Sequence, residues 1–60
     1  MIVSVIVRYT QSEWDSVERE AYDPDFIGIR ADAQEAHAFA RDCRMKDSTS
    51  VYVVRKIRIR

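Results

Sequence analysis

His37 and Cys43 are the two residues of this 60-residue chain whose types most readily do chemistry. A thiolate nucleophile needs a base, and the base needs a group to orient it. The two side chains are six positions apart in a segment of helical spacing, so they point to different faces. Cys43 falls in an apolar stripe with Ala36, Phe39 and Ala40 and reads as a small core residue. His37 falls on the flank beside Arg41 and Arg44, where neighbouring cations make it a poor base, and reads as a solvated surface histidine. One Cys and one His leave no all-protein zinc cage, and a single Gly leaves no phosphate-cradling loop. No catalytic residue, metal or cofactor is expected.

Two charged segments offer binding instead of catalysis. Glu13, Asp15, Glu18, Glu20, Asp23 and Asp25 crowd one stretch without the alternating spacing of a calcium loop. A solvated face is the ordinary reading. The other reading makes the stretch an acidic arm, with Trp14 and Tyr22 as aromatic anchors and Asp15 and Glu18 beside them. Such an arm docks on a basic protein surface, including one that normally holds nucleic acid. The C-terminal run Arg55-Lys56-Ile57-Arg58-Ile59-Arg60 is basic. Charge on an edge strand discourages aggregation. Alternatively Lys56, Arg58 and Arg60, with Arg41 and Arg44, could contact phosphates. Tyr52 is the only aromatic of the last strand, Ser50 to Arg60, so base stacking has little support.

The charges are segregated. Residues 1–32 carry three basic and seven acidic groups, and residues 33–60 carry seven basic and three acidic, so a formal net charge of zero hides a dipolar chain. The halves can attract within the fold or between two copies. Apolar residues are 47% and charged residues 33%, a globular balance. The length allows one small α+β domain over residues 1–60. A chain of this size buries only about 60% of its unfolded surface, so association with another chain is a physical expectation. No stretch approaches the ~20 apolar residues that span a bilayer, and a lone cysteine fits a reducing, cytoplasmic setting.

The elements follow from pattern. Ile2 to Tyr9 is rich in Val and Ile, which suit a pleat and crowd a helix. Its near-continuous apolarity predicts a central strand. Ser12 with Asp15 suggests a cap, and Trp14, Val17 and Ala21 share a helical face, so a short helix over about Glu13 to Glu20 competes with an extended arm. Asp23-Pro24-Asp25 ends that segment. Phe26 to Arg30 is a short strand with Ile27 and Ile29 on one face, and Gly28 marks a close approach or a bulge. Asp32 caps a helix over Ala33 to Arg44, with Glu35 completing the pair. Ser50 to Arg60 alternates as the last strand.

This order predicts a three-stranded, mainly antiparallel sheet of order 2-1-3, arranged β-(short helix or arm)-β-α-β. The helix covers one face through Phe39. Ile2, Ile6, Tyr52 and Val54 are the candidates for the face it leaves open. Either the Trp14 segment or another molecule must meet that face, because bare apolar patches mark contact sites.

The run Phe26-Ile27-Gly28-Ile29-Arg30-Ala31-Asp32 leading into Gln34-Glu35-Ala36 resembles a group of small phage and bacterial domains. They join an N-terminal strand to a φ-φ-G-φ-x-(S/A)-x-x-E-A turn into a helix, then a last strand. The resemblance covers residues 2–59 in pattern and departs from it in the acidic segment 11–25. It implies a fold and a setting among accessory proteins of phages and mobile elements, and it implies no catalytic residue.

The expected function is therefore a non-enzymatic accessory protein that binds a host protein or itself, as a homodimer. It would use Trp14, Asp15, Glu18, Tyr22 and Tyr52 on the acidic arm or free sheet face. The alternative is nucleic-acid binding through Arg41, Arg44, Lys56, Arg58 and Arg60.

Overall fold

The computed structural model describes residues 1–59. Strand β1 spans Ile2–Thr10, helix α1 Gln11–Asp15, strand β2 Asp25–Arg30, helix α2 Ala33–Lys46 and strand β3 Ser50–Arg58. The sheet order is β2-β1-β3, and both neighbours run antiparallel to β1. The valine-rich strand is thus central, as its apolarity on both faces requires. Its side chains from Val3 to Val7 are all buried.

Helix α2 begins where Asp32 accepts a hydrogen bond from the Gln34 N–H at 2.9 Å. It runs two residues beyond the expected Arg44, to Lys46, before Asp47 caps it. Ala36 and Ala40 are fully buried, so the helix lies close against Ile6, which is also fully buried. Phe39, Cys43, Ile27, Tyr52 and Val54 complete this cluster. The placement corrects one expectation: the face bearing Ile6, Tyr52 and Val54 is the one α2 covers.

The reason lies in β2. Its register against β1 slips between Ile6 and Val7, so that Gly28 faces Ile6 while Phe26 faces Val7. Ile27 is the extra residue of this bulge and packs with the helix cluster, whereas Ile29 stands opposite Val5 on the other face. Ile27 and Ile29 therefore do not share a face. An added Cβ at Gly28 would lie 3.5 Å from the Phe39 ring. The glycine leaves the space in which the helix seats its one aromatic.

The segment after β1 also differs from expectation. Thr10, not Ser12, caps α1: its hydroxyl accepts from the Glu13 N–H at 3.2 Å, and the Glu13 carboxylate accepts from the Thr10 N–H at 2.9 Å. This reciprocal pair holds the Glu13 carboxyl below its ordinary pKa, the Thr10 backbone bond being the larger cause. The helix stops at Ser16, which turns extended, and its hydroxyl then accepts from the Glu18 N–H. Val17 is left in solvent instead of continuing an apolar face with Trp14 and Ala21. A single 3-10 turn, Arg19–Ala21, leads toward β2. Strand β3 ends at Arg58, two residues short of expectation, and Arg60 lies outside the described residues.

Candidate interaction surface

The face opposite α2 is built from the odd-numbered residues of β1. Val3, Val5, Val7 and Tyr9 stand beside Ile57, Arg55, Val53 and Val51 of β3, while Ile29 and Phe26 of β2 flank Val5 and Val7. Only one layer of helix backs the sheet, and the molecule measures 13 Å along its shortest axis. The opposite face is therefore without a second full layer.

Trp14 closes one end of it. The indole packs against the valine cluster, with its ring centroid 5.5 Å from that of Tyr9 at an interplanar angle of 54°. The Arg19 guanidinium lies 4.5 Å over the indole. Arg55 reaches along the face to Tyr9, donating to its hydroxyl and lying 5.5 Å from its ring centroid. On the flanking strands the cover stops. Phe26 is 64% exposed and Ile57 46%, with Ile29 and Ile59 similarly open, beside Val5, which is only 8% exposed. Apolar side chains next to the buried central strand thus reach solvent on both flanking strands.

The expected site residues divide accordingly. Trp14 is half-buried and already engaged by Tyr9 and Arg19, so it is a lid and not a free anchor. Asp15 is exposed and accepts from the Gln11 amide at 3.1 Å. Glu18 and Tyr22 are exposed on the same segment. Tyr52 is buried beneath α2, which removes it from any contact surface. Phe26, Ile29 and Ile57 were missed as site residues. Their signal was the bulge at Gly28, which reverses the facing of Phe26 relative to Ile29 and is invisible to simple alternation.

Tyr52 instead belongs to a polar joint at the end of α2. Its hydroxyl donates to the Asp47 carboxylate at 3.1 Å, and burial raises its pKa, with Asp47 adding to the effect. Asp47 also accepts from the Thr49 hydroxyl at 2.7 Å and the Thr49 N–H at 3.1 Å. The Thr49 hydroxyl is the largest cause holding the Asp47 carboxyl far below the ordinary carboxylate range. Arg8 Nε lies 3.7 Å from Asp47, donates to the Ser50 hydroxyl at 2.9 Å, and its Nη1 donates to Asp25 at 2.8 Å. These groups tie β1, β2 and the α2–β3 turn together.

The basic residues do not converge. Arg41 lines an open groove of about 360 Å³ with Gln34, His37, Ala38 and Arg44. Arg44 is committed to the Tyr52 carbonyl at 2.6 Å. Lys56 and Arg58 stand opposite Ser4 and Ile2, four and six residues further along β3 than Tyr52. That spacing is roughly 13 to 20 Å. His37 is exposed in the groove, and Cys43 packs in the helix cluster. Among the described residues, no group of three or more His, Cys, Asp or Glu side chains could hold a metal ion, and no helix is long and apolar enough to cross a membrane.

No family model matches this chain, and neither does any curated protein or solved structure.

Proposed function

We propose that this chain is a small non-enzymatic accessory module, an inhibitor or adaptor of the phage type, that works by binding protein through the sheet face opposite α2. One observation carries the reading: Phe26, Ile29 and Ile57 are exposed on a face whose central residues belong to the core. Apolar side chains scattered singly need no explanation, but several exposed together on one sheet face beside the core point to a contact site. Asp15, Glu18 and Tyr22 form the rim at the Trp14 end and supply specificity more than energy. The lone Cys43 suits a reducing, cytoplasmic setting.

The competing reading is nucleic-acid binding through the groove of His37 and Arg41 with Arg44, Lys56 and Arg58. Affinity capture with nuclease treatment separates the two. The immobilised chain is compared with a Phe26→Lys/Ile57→Lys variant and with an Arg41→Ser/Lys56→Ser/Arg58→Ser variant. Protein binding through the face predicts nuclease-resistant capture that the first variant loses and the second keeps. The reverse pattern contradicts it.

A further inference from the structure

We infer that the outer edge of β3 takes up an extended segment of another protein as a fourth strand, one in which Asp or Glu alternates with apolar residues. The inference goes beyond the face opposite α2 and does not depend on it. Hydrogen bonding shows which groups the edge offers. Met1 and Ile59 exchange both backbone bonds: the Met1 ammonium donates to the Ile59 carbonyl at 3.2 Å, and the Ile59 N–H donates to the Met1 carbonyl at 2.7 Å. An antiparallel ladder alternates such pairs with pairs whose groups point outward. Val3–Ile57, Val5–Arg55 and Val7–Val53 are therefore bonded pairs, whereas Tyr52, Val54, Lys56 and Arg58 turn N–H and C=O away from β1. The Tyr52 carbonyl confirms this, since it accepts from Arg44 Nη2 at 2.6 Å. Beyond it the strand is half-buried at Val54 and exposed from Arg55 onward. Among the described residues, β3 has a strand on one side only, and its nine residues pair with β1 without a bulge. The other edge, β2, has six residues and a bulge, a form in which sheets protect an edge.

Charge then selects the occupant. Lys56 and Arg58 stand opposite Ser4 and Ile2, on the side of the sheet that carries α2. The helix starts three residues after Arg30, whose partner Ser4 also pairs with Lys56. It ends beside Tyr52, whose hydroxyl donates to Asp47 at 3.1 Å. It therefore runs antiparallel to β3. Arg44 lies at Tyr52, and Arg41 and His37, which line one groove with it, follow about 4.5 and 10.5 Å back along the helix. Those positions fall alongside Val54 to Lys56. Arg44, Arg41, Lys56 and Arg58 thus form a row of cations roughly 20 Å long beside the edge. A row of this kind suits carboxylates on every second residue of an extended chain better than a single ion. Acidic side chains on the α2 side of the added strand lie next to Lys56 and Arg58. Its intervening side chains fall on the other face, next to Val53 and Ile57, where apolar groups fit. A second copy of β3 is the wrong occupant, because pairing along the same stretch sets Arg55, Lys56 and Arg58 among like charges.

The test is an NMR titration of the ¹⁵N-labelled full chain with a capped hexapeptide of alternating Glu and Val. Its N-methylated form, which keeps the charges and lacks the strand donors, and an oligothymidylate serve as comparisons. The hexapeptide should slow amide hydrogen exchange at Val54, Lys56 and Arg58, whose N–H groups gain acceptors. It should leave Val53, Arg55 and Ile57 unchanged, because β1 already holds them. The N-methylated form should bind at least about tenfold more weakly. Lys56→Ser/Arg58→Ser should raise the dissociation constant of the hexapeptide about fivefold or more. Both side chains are exposed, and the exchange pattern of the wild type tests the pairing without any substitution. No binding of the hexapeptide at millimolar concentration, equal affinity for the N-methylated form, or a dissociation constant unmoved by the double variant overturns the inference. Oligothymidylate that displaces the hexapeptide while those three amides stay unprotected with either ligand would make the row a phosphate contact, and overturns it as well.

Discussion

Trp14 rests against Tyr9 with 5.5 Å between ring centroids, and this pair closes one end of the sheet face that α2 leaves uncovered. The contact joins α1 to the core across a cap made by Thr10 and Glu13. Trp14→Ala removes a half-buried indole and should cost about 2 kcal/mol, less than a fully buried tryptophan. Urea unfolding measures the loss. The far-ultraviolet signal of α2 should remain, because Ala36, Ala40 and Phe39 pack on the other side of the sheet. A variant that no longer folds would make Trp14 a core residue instead of a lid.

Gly28 and Phe39 supply a second test. A methyl group at Gly28 would meet the Phe39 ring at 3.5 Å, an ordinary contact. Gly28→Ala should therefore be tolerated, and should add about 0.5 kcal/mol by restricting the unfolded chain. Gly28→Leu exceeds the space and should cost about 1–3 kcal/mol through overpacking. Thermal unfolding of the pair resolves the opposite signs. Equal destabilisation by both would show that the backbone at the bulge, and not the Phe39 ring, demands glycine.

Asp47 predicts a pH dependence. Its carboxyl is held well below its ordinary 3.8, first by the Thr49 hydroxyl and then by Ser50 and the Thr49 N–H. A group depressed in the folded state contributes stability above its unfolded pKa and loses it as pH falls toward the folded value. The wild type should lose stability progressively below about pH 4. Asp47→Asn should lower Tm at neutral pH and flatten the acid limb, so that the gap between the two proteins narrows as pH falls from about 4 toward about 2. Curves that stay parallel down to that pH would contradict the assignment.

The Thr10 cap supplies a fourth test. Thr10→Ala removes the acceptor for the Glu13 N–H and should cost about 1 kcal/mol. It should also loosen the Trp14 lid, seen as faster hydrogen exchange over residues 11–15. Unchanged exchange there would mean that the indole contact alone holds the segment.

The strand order and the helix were legible because each rests on a local pattern. Valine and isoleucine on both faces of β1 demand a central position, and Asp32 followed by Ala36, Phe39, Ala40 and Cys43 specifies a capped helix with one narrow apolar side. The choice of face was not legible. Both faces of β1 are apolar, and what decides between them is the non-local fit of Phe39 over Gly28 and of Ala36 and Ala40 over Ile6. The bulge at Ile27 hid Phe26 and Ile29 for the same reason, since alternation assumes an unbroken register. In the acidic segment, Ser12 and Thr10 are both competent caps. Only the reciprocal bond with Glu13 selects Thr10.

The most direct measurement of the central claim is the accessibility of Phe26, Ile29 and Ile57 to a soluble gadolinium chelate, read by NMR on the dilute chain and again after association. These side chains should broaden far more than buried Ile6 when the chain is free, and the broadening should vanish on association. Signals as protected as those of Ile6 in the free chain, or equally broadened once it is bound, would contradict the claim that this face is where the protein meets its partner.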